Sequence, residues 1–144
     1  DRKAIEIRVM DEQECVKSDV SLSCFIRALL RGLMNEKAAF APHSVLLEDF
    51  NSIISDGLGA RLHGNFGIRA KEACASLLNI AYENATEEEK KYLSIVQKRI
   101  EKGSLSEIIR ERVKKKSQKT NVKEANIHVY TQLAESLIDN QPYF

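Results

Sequence analysis

Glu6 and Arg8 are the two residues of this chain whose types and spacing best suit chemistry. They lie two positions apart in AIEIRVM, residues 4–10, where Ile and Val alternate with other side chains. This alternation predicts a β-strand, so the two side chains would project from one face about 7 Å apart. A carboxylate held there can ligate Mg²⁺, and a guanidinium beside it can bind a phosphate or a substrate carboxylate. The same spacing also suits an ordinary surface ion pair, so it does not decide between the two roles.

A glycine-rich stretch supplies the next candidate. GLGARLHGNFG, residues 57–67, has four glycines in eleven residues and predicts a loop, with a short extended segment near Arg61. Because backbone amides are accessible where side chains are small, Arg61 and His63 could reach an anionic ligand there. Arg61 is therefore a candidate substrate-binding residue, although a plain connecting loop explains the same sequence.

The remaining polar residues give weaker signals. The three histidines are scattered, with His43 and His63 expected in loops and His128 on a helix, and none has the spacing of a metal site. Arg27 and Arg31 share one helical face and could either support the acidic group of the strand or be solvated. A basic run at residues 114–119 ends a predicted helix and has no interleaved aromatic residues, which favours a helix-terminal role over nucleic-acid binding.

Composition predicts a single globular domain. The chain has 144 residues and a formal net charge of +1 from 22 basic and 21 acidic side chains, so no overall field attracts it to nucleic acid or lipid. No apolar run reaches the roughly 20 residues of a membrane span, and we expect a cytoplasmic protein. Three cysteines form no C-x-x-C pair, and Cys24 and Cys74 fit apolar helical patterns as small core residues.

The elements that must position the candidate residues are one strand and about six helices. Apolar periodicity, capping signals and terminal glycines predict the helices at about 18–35, 46–57, 68–82, 86–103, 104–113 and 121–138. Ser18 or Asp19 is the expected cap of the first helix, and Thr86 and Ser104 begin capping boxes. A single strand leaves its backbone groups unpaired, so it needs a partner. We favour a sheet whose other strands belong to a longer polypeptide.

Three stretches resemble a known family. Residues 5–34, IEIRVMDEQECVKSDVSLSCFIRALLRGLM, resemble the start of the C-terminal region of the glutamate-cysteine ligase and carboxylate-amine ligase family, where a strand T-[IL]-E-[IV]-R-x-x-D precedes a Leu- and Ala-rich helix. Residues 46–62, LLEDFNSIISDGLGARL, are similar to its helix ending in a G-L-x-A turn. Residues 92–113, YLSIVQKRIEKGSLSEIIRERV, resemble its closing pair of helices.

The resemblance implies a fold and a reaction. The family is distantly similar to glutamine synthetase, so the strand would belong to a larger α+β sheet of that type and precede a mainly α helical bundle. Residues 1–144 would form one domain, the C-terminal portion of a longer ligase, with 1–13 as active-site strand and turn and 18–144 as helical subdomain. In the implied reaction ATP phosphorylates a carboxylate, and an amine displaces the phosphate to form an amide. Glu6 would bind a divalent metal, and Arg8 would be catalytic and contact phosphate or substrate.

This resemblance also implies partners. Mg²⁺, ATP and an amino-acid substrate would bind only together with an N-terminal catalytic region of the same protein, because the chain shows no phosphate loop or second metal-binding strand. The chain alone should therefore be inactive. Neither nucleic acid nor a membrane is expected as a partner, and a homo-oligomer stays open.

The chain departs from the family pattern in ways that leave two alternatives open. Ala4 stands where glutamine synthetases have a further Arg, and Asp49 and Ser52 stand where many carboxylate-amine ligases have Asn and Arg. One alternative is a non-catalytic helical interaction module whose strand pairs with the sheet of a partner. The other is a degenerate ligase relative that keeps the fold without the chemistry.

Overall fold

The computed structural model describes residues 6, 7, 10, 12–34, 41–64 and 67–144. Within them the chain is mainly helical, which confirms the predicted class. The described residues form six α-helices, which are, in chain order, α1 Val16–Leu33, α2 His43–Asp56, α3 Ala70–Asn84, α4 Glu87–Lys102, α5 Leu105–Ser117 and α6 Val122–Ile138. A 3-10 turn, Gly57–Gly59, follows α2. None of these described helices is both long and apolar enough to cross a membrane.

The predicted N-terminal strand is not confirmed. Arg8, Ala4, Ile5 and Val9 lie outside the described residues, and the described Glu6, Ile7 and Met10 are not assigned to a strand. Ile7 and Met10 are both exposed, by 43% and 44%. The strand and the larger sheet therefore stay predictions.

The principal core forms where α1 packs against α3 and α4. Its fully or nearly buried members are small or aliphatic: Ala28, Leu78, Ala81, Leu93 and Val96. A second core joins α5 and α6 to the C-terminal segment through Ile108, Val129 and Tyr143. Cys24 and Cys74, which were predicted as core residues, are only partly buried, whereas Cys15, for which no core role was predicted, is fully buried.

The helix ends follow local capping chemistry. Thr86 and Ser104 cap α4 and α5 with Glu89 and Glu107 completing both capping boxes, as predicted. Gly57 ends α2 with φ of 56°, a left-handed conformation that a residue with a Cβ would adopt at a cost.

The predicted start of α1 is wrong. The helix begins at Val16, and its N-cap, Cys15, makes no side-chain capping bond. The hydroxyl of Ser18 instead donates to Glu14 at 3.0 Å, and Asp19 accepts from the amide of Gln13 at 3.0 Å. Ser18 and Asp19 therefore lie within the first turn of the helix, and their side chains bind the segment that precedes it. His43 also differs from its predicted loop position, because α2 begins there, directly after Pro42.

The second helix, α2, is set apart from the bundle. It packs mainly against the 3-10 turn that follows it, and none of its residues is buried. Five apolar side chains are 43–67% exposed: Leu46, Leu47, Phe50, Ile53 and Ile54. An amphipathic helix with this much exposed apolar surface has a face suited to contact with another part of a protein.

Candidate functional site

The segment that was expected to carry the chemistry is only partly described. Glu6 is exposed and lies outside any helix. Arg8 lies outside the described residues, so the separation of the Glu6 carboxylate and the Arg8 guanidinium stays a prediction. In the described part of the chain, no group of three or more His, Cys, Asp or Glu side chains could hold a metal ion. Glu6 could thus provide one oxygen ligand, and the others would have to come from elsewhere.

Residues 60–62 of the glycine-rich stretch pair with residues 68–70 as a short hairpin, which confirms the predicted extended segment near Arg61. An isolated antiparallel bridge joins Arg61 and Arg69. The amide of Leu62 donates to the carbonyl of Ile68 at 2.9 Å, and the amide of Ala70 donates to the carbonyl of Ala60 at 2.8 Å. Buried Ala60, Leu62 and Ala70 anchor the hairpin in a small core. Arg61 is therefore presented from a fixed backbone instead of a loose connector.

Arg69 is a candidate residue that the sequence reasoning missed. Residues directly opposite in an antiparallel pair have their side chains on one face, with Cβ atoms about 5 Å apart. Arg61 and Arg69 occupy such positions and are both exposed. Like charges placed this way repel, and an anion bound between them would relieve the repulsion. Only the register of the hairpin identifies the second arginine, and that register cannot be obtained from spacing alone.

Asp49 joins α2 to the hairpin loop. Its Oδ1 accepts from the amide of His63 at 2.5 Å, and its Oδ2 accepts from the amide of Gly64 at 3.0 Å. The Nδ1 of His63 lies 3.2 Å from the same Oδ1. The backbone hydrogen bond from His63 is the main reason that the pKa of Asp49 is lowered. The residue that departs from the family pattern in α2 thus has a role here, which is to hold the loop after Arg61.

Glu14 is a fully buried carboxylate that the sequence reasoning did not single out. Its Oε1 accepts three hydrogen bonds, from Ser18 Oγ at 3.0 Å, Arg99 Nη2 at 2.6 Å and the amide of Tyr143 at 3.0 Å. Among the described residues, none offers a hydrogen bond to the equally buried Oε2. This cluster joins three parts of the chain and is structural.

Glu89 is a second buried carboxylate, and two arginines contact it. Arg31 Nη2 donates to its Oε2, and Arg27 Nη2 lies 2.8 Å from its Oε1. The Arg31 hydrogen bond, with the Thr86 amide bond second, lowers the pKa of Glu89 to about 2. Arg27 and Arg31 thus both contact this carboxylate of α4, and the Arg27 side chain is still 71% exposed. Support of the strand by these arginines stays a prediction, because most of the strand lies outside the described residues.

Comparison with known proteins agrees with the resemblance in the sequence. A family model described as glutamate-cysteine ligase family 2 matches residues 1–131. An uncharacterised protein of Archaeoglobus fulgidus is 44% identical over 108 residues, which cover 75% of this chain and 26% of the relative. The chain therefore spans about a quarter of the length of that relative. No solved structure matches the chain.

Proposed function

The chain belongs to glutamate-cysteine ligase family 2, and from this membership we propose that it is part of an ATP-dependent carboxylate-amine ligase. The observation that carries the proposal is the extent of the match, residues 1–131, which includes the segment with Glu6 and Arg8. In the proposed reaction ATP phosphorylates a substrate carboxylate. ADP leaves in this first step. An amine then attacks the acyl phosphate, phosphate leaves, and an amide is formed.

We assign distinct roles to the two residues of the first segment. Glu6 is exposed and carries the hard oxygen donor that Mg²⁺ prefers, so it would be one ligand of that ion. Bound Mg²⁺ would offset the negative charge of the phosphoryl group being transferred. Arg8 would bind the phosphate or the substrate carboxylate through its planar set of donors.

The hairpin supports a second part of the proposal, which is substrate binding by Arg61. Asp49 and the bridge to Arg69 fix the backbone around Arg61, and a fixed donor binds an anion at a lower entropic cost. We propose that Arg61, with Arg69 opposite it, binds the carboxylate of the amino-acid substrate. The two arginines would then affect substrate affinity more than the rate of the chemical step.

We further propose that this domain is one portion of a longer ligase and that α2 contacts the rest of it. The relative from Archaeoglobus fulgidus is about four times as long as the matched region, since that region covers 26% of it. The exposed apolar face of α2 has no cover among the described residues. Burial of apolar surface against a neighbouring domain of the same polypeptide would stabilise both.

The test is ADP release by the natural full-length protein with ATP, Mg²⁺ and a panel of amino acids as acid and amine. Glu6→Gln and Arg8→Ala should each lower kcat by about 100-fold or more, since the first removes a charged ligand of Mg²⁺ and the second removes a cation that contacts the phosphate or substrate. Glu12→Gln, an exposed change in the same segment, is the matched control and should leave kcat unchanged.

Different results identify the alternatives. Full turnover in the Glu6 and Arg8 variants would reject the assigned roles while keeping the ligase assignment. No amino-acid-dependent ADP release by the wild-type protein would favour the degenerate relative. The exposed face of α2 is the observation that favours the interaction module, and a stable complex with another protein, without turnover, would support that function instead.

A further inference from the structure

A basic cleft lies between α5 and α6, far along the chain from the residues discussed above. Its volume is about 500 Å³, within the range of roughly 300–1,000 Å³ that is usual for small-molecule sites. The cleft is lined by Arg112, Lys115, Lys116, Gln118, Lys119, His128, Val129 and Gln132.

The four cations of the cleft follow a helical repeat. Arg112, Lys115, Lys116 and Lys119 are spaced i, i+3, i+4 and i+7, which places them on one face of α5 and of the turn after it. At the rise of an α-helix they extend over about 10 Å. None of the described side chains that line the cleft is acidic, although the whole chain has 21 acidic residues against 22 basic ones.

Part of this lining is held in place before any ligand binds. The guanidinium of Arg112 lies over the ring of Tyr143, 4.2 Å from its centroid, and also donates to the main-chain oxygen of Phe144. The Tyr143 hydroxyl donates to Gln132 Oε1 at 3.1 Å, which identifies the other end of this amide, Nε2, as a hydrogen-bond donor. At the other end of the cleft, the carbonyl of Lys116 accepts from the amides of Lys119 and Thr120 at 3.0 and 3.2 Å. These two bonds fix the turn that follows α5.

Simpler roles account for only some of these charges. Lys115 pairs with Glu111 at 2.6 Å, but both side chains are exposed, and such a pair contributes little. Lysines in the last turn of α5 also complement the helix dipole. The dipole does not explain Arg112, which lies before the last turn of α5. Nor does it explain why α5 converges with His128 and Gln132 of α6 on one concave surface.

We propose that this cleft binds a small anion with a chain of two or more phosphates. One phosphate could not contact cations spread over about 10 Å, whereas an oligophosphate chain could contact several at once. Among the described residues, the lining has no Phe, Tyr or Trp side chain on which a base could stack, and its one aromatic ring is the imidazole of His128, so the phosphates, and not a nucleobase or a nucleic-acid strand, would provide the affinity.

The experiment uses the chain with the sequence printed here, isotope-labelled and titrated at low salt with tripolyphosphate, pyrophosphate and inorganic phosphate. Affinity should rise with the number of phosphates, and amide shift changes should concentrate at residues 112–119 and 128–132. Lys116→Gln with Lys119→Gln should weaken tripolyphosphate binding by about tenfold or more, since two charge-assisted hydrogen bonds are lost. ATP and tripolyphosphate should bind with equal affinity, and tighter binding of ATP would contradict the assignment of the affinity to the phosphate chain.

The matched control is Lys114→Gln with Lys123→Gln. These lysines are exposed, belong to the same two helices and do not line the cleft, so the same charge is removed elsewhere. Equal weakening by both double variants would overturn the proposal, because it would show a general charge effect. The proposal would also be overturned if tripolyphosphate did not bind at millimolar concentration. It would likewise be overturned if a single-stranded oligonucleotide bound more tightly and shifted amide signals beyond the cleft. Circular dichroism would verify folding, and Lys119→Gln alone, an exposed change after the helix end, would replace a double variant that does not fold.

Discussion

The carboxylate of Glu14 and the guanidinium of Arg99, which are 85 residues apart in sequence, lie 2.6 Å apart at the entrance of α1. The Glu14 side chain has no exposed surface, and that of Arg99 is 18% exposed. Because the same Oε1 accepts from the amide of Tyr143, the pair joins α1, α4 and the C-terminal segment. A charged group this deeply buried is stable only while its partner is present.

Removal of the Glu14 carboxylate should therefore destabilise the whole domain. Glu14→Ala leaves Arg99 Nη2 without its carboxylate partner and the amide of Tyr143 without an acceptor. We expect the free energy of unfolding to fall by about 3 kcal/mol, measured by urea denaturation followed by circular dichroism. Glu12→Ala, an exposed glutamate two residues earlier, should change it by less than about 0.5 kcal/mol. Equal, small effects of both variants would contradict a structural role for the Glu14 pair.

Glu89 should make the stability of the fold sensitive to acid. Its pKa in the folded state is about 2, below its ordinary 4.5, so its contribution is present above pH 4.5 and is lost as the pH falls from there toward 2. The contribution should be on the order of 2 kcal/mol, since Arg27 is largely exposed and solvent screens that part of the interaction. Urea denaturation at a series of pH values measures the loss.

Glu89→Gln provides the comparison that isolates this group. The variant should be less stable at neutral pH, and its stability should decline less than that of the wild type between pH 4.5 and 2. Glu88→Gln, an exposed neighbour in the same helical turn, should keep the wild-type decline. Parallel pH profiles for the wild type and Glu89→Gln would show that other carboxylates cause the acid sensitivity.

Gly32 marks a close approach of α1 to α3. A Cβ added there would lie 2.6 Å from Ile80 Cγ2 and 2.8 Å from Asn84 Nδ2. The Nδ2 of Asn84 already donates to the carbonyl of Ile80 at 2.8 Å, so the side chain is not free to move away. Gly32→Ala should thus lower the free energy of unfolding by about 1 to 2 kcal/mol, although alanine favours a helix by about 1 kcal/mol.

Gly59→Ala is the matched control for Gly32→Ala. In the described part of the chain, no atom from a residue other than its chain neighbours lies within 4 Å of a Cβ built at Gly59. Its substitution should change the free energy of unfolding by less than about 0.5 kcal/mol in the same denaturation assay. A neutral or stabilising Gly32→Ala would show that α1 and α3 can separate at low cost.

Local signals in the sequence were sufficient for the helices and insufficient for the contacts between them. Gly57, Gly103 and the boxes at Thr86 and Ser104 act within one helical turn, so they predicted the C-terminal end of α2, both ends of α4 and the start of α5. The predicted end of α5 near residue 113 was wrong, because the helix continues to Ser117. The start of α1 differed because Ser18 serves Glu14, whose surroundings depend on Arg99 of a distant helix. No local pattern contains that information.

The candidate site also contains residues that local sequence signals identify and residues that only the folded structure identifies. Arg61 could be singled out from the glycines around it, but Arg69 became a candidate only through the register of the hairpin. Arg27 and Arg31 share a helical face in the sequence, while their common partner, Glu89, depends on how α1 crosses α4. Glu6 and Arg8 rest on the family resemblance, and their assigned roles stay predictions.

Asp49 should determine the order of the loop that follows Arg61. Asp49→Ala removes the acceptors of the His63 and Gly64 amides, so hydrogen exchange at these two amides should accelerate by about fivefold or more. In the wild type, the folded-state pKa of Asp49 is lowered, so the clamp should persist at neutral pH and weaken as the pH falls below 3.8. The amide chemical shifts of His63 and Gly64 should follow that titration together. Glu48→Ala, an exposed neighbour on α2, should leave both amides protected, and protection that survives in Asp49→Ala would mean that the hairpin backbone alone orders the loop.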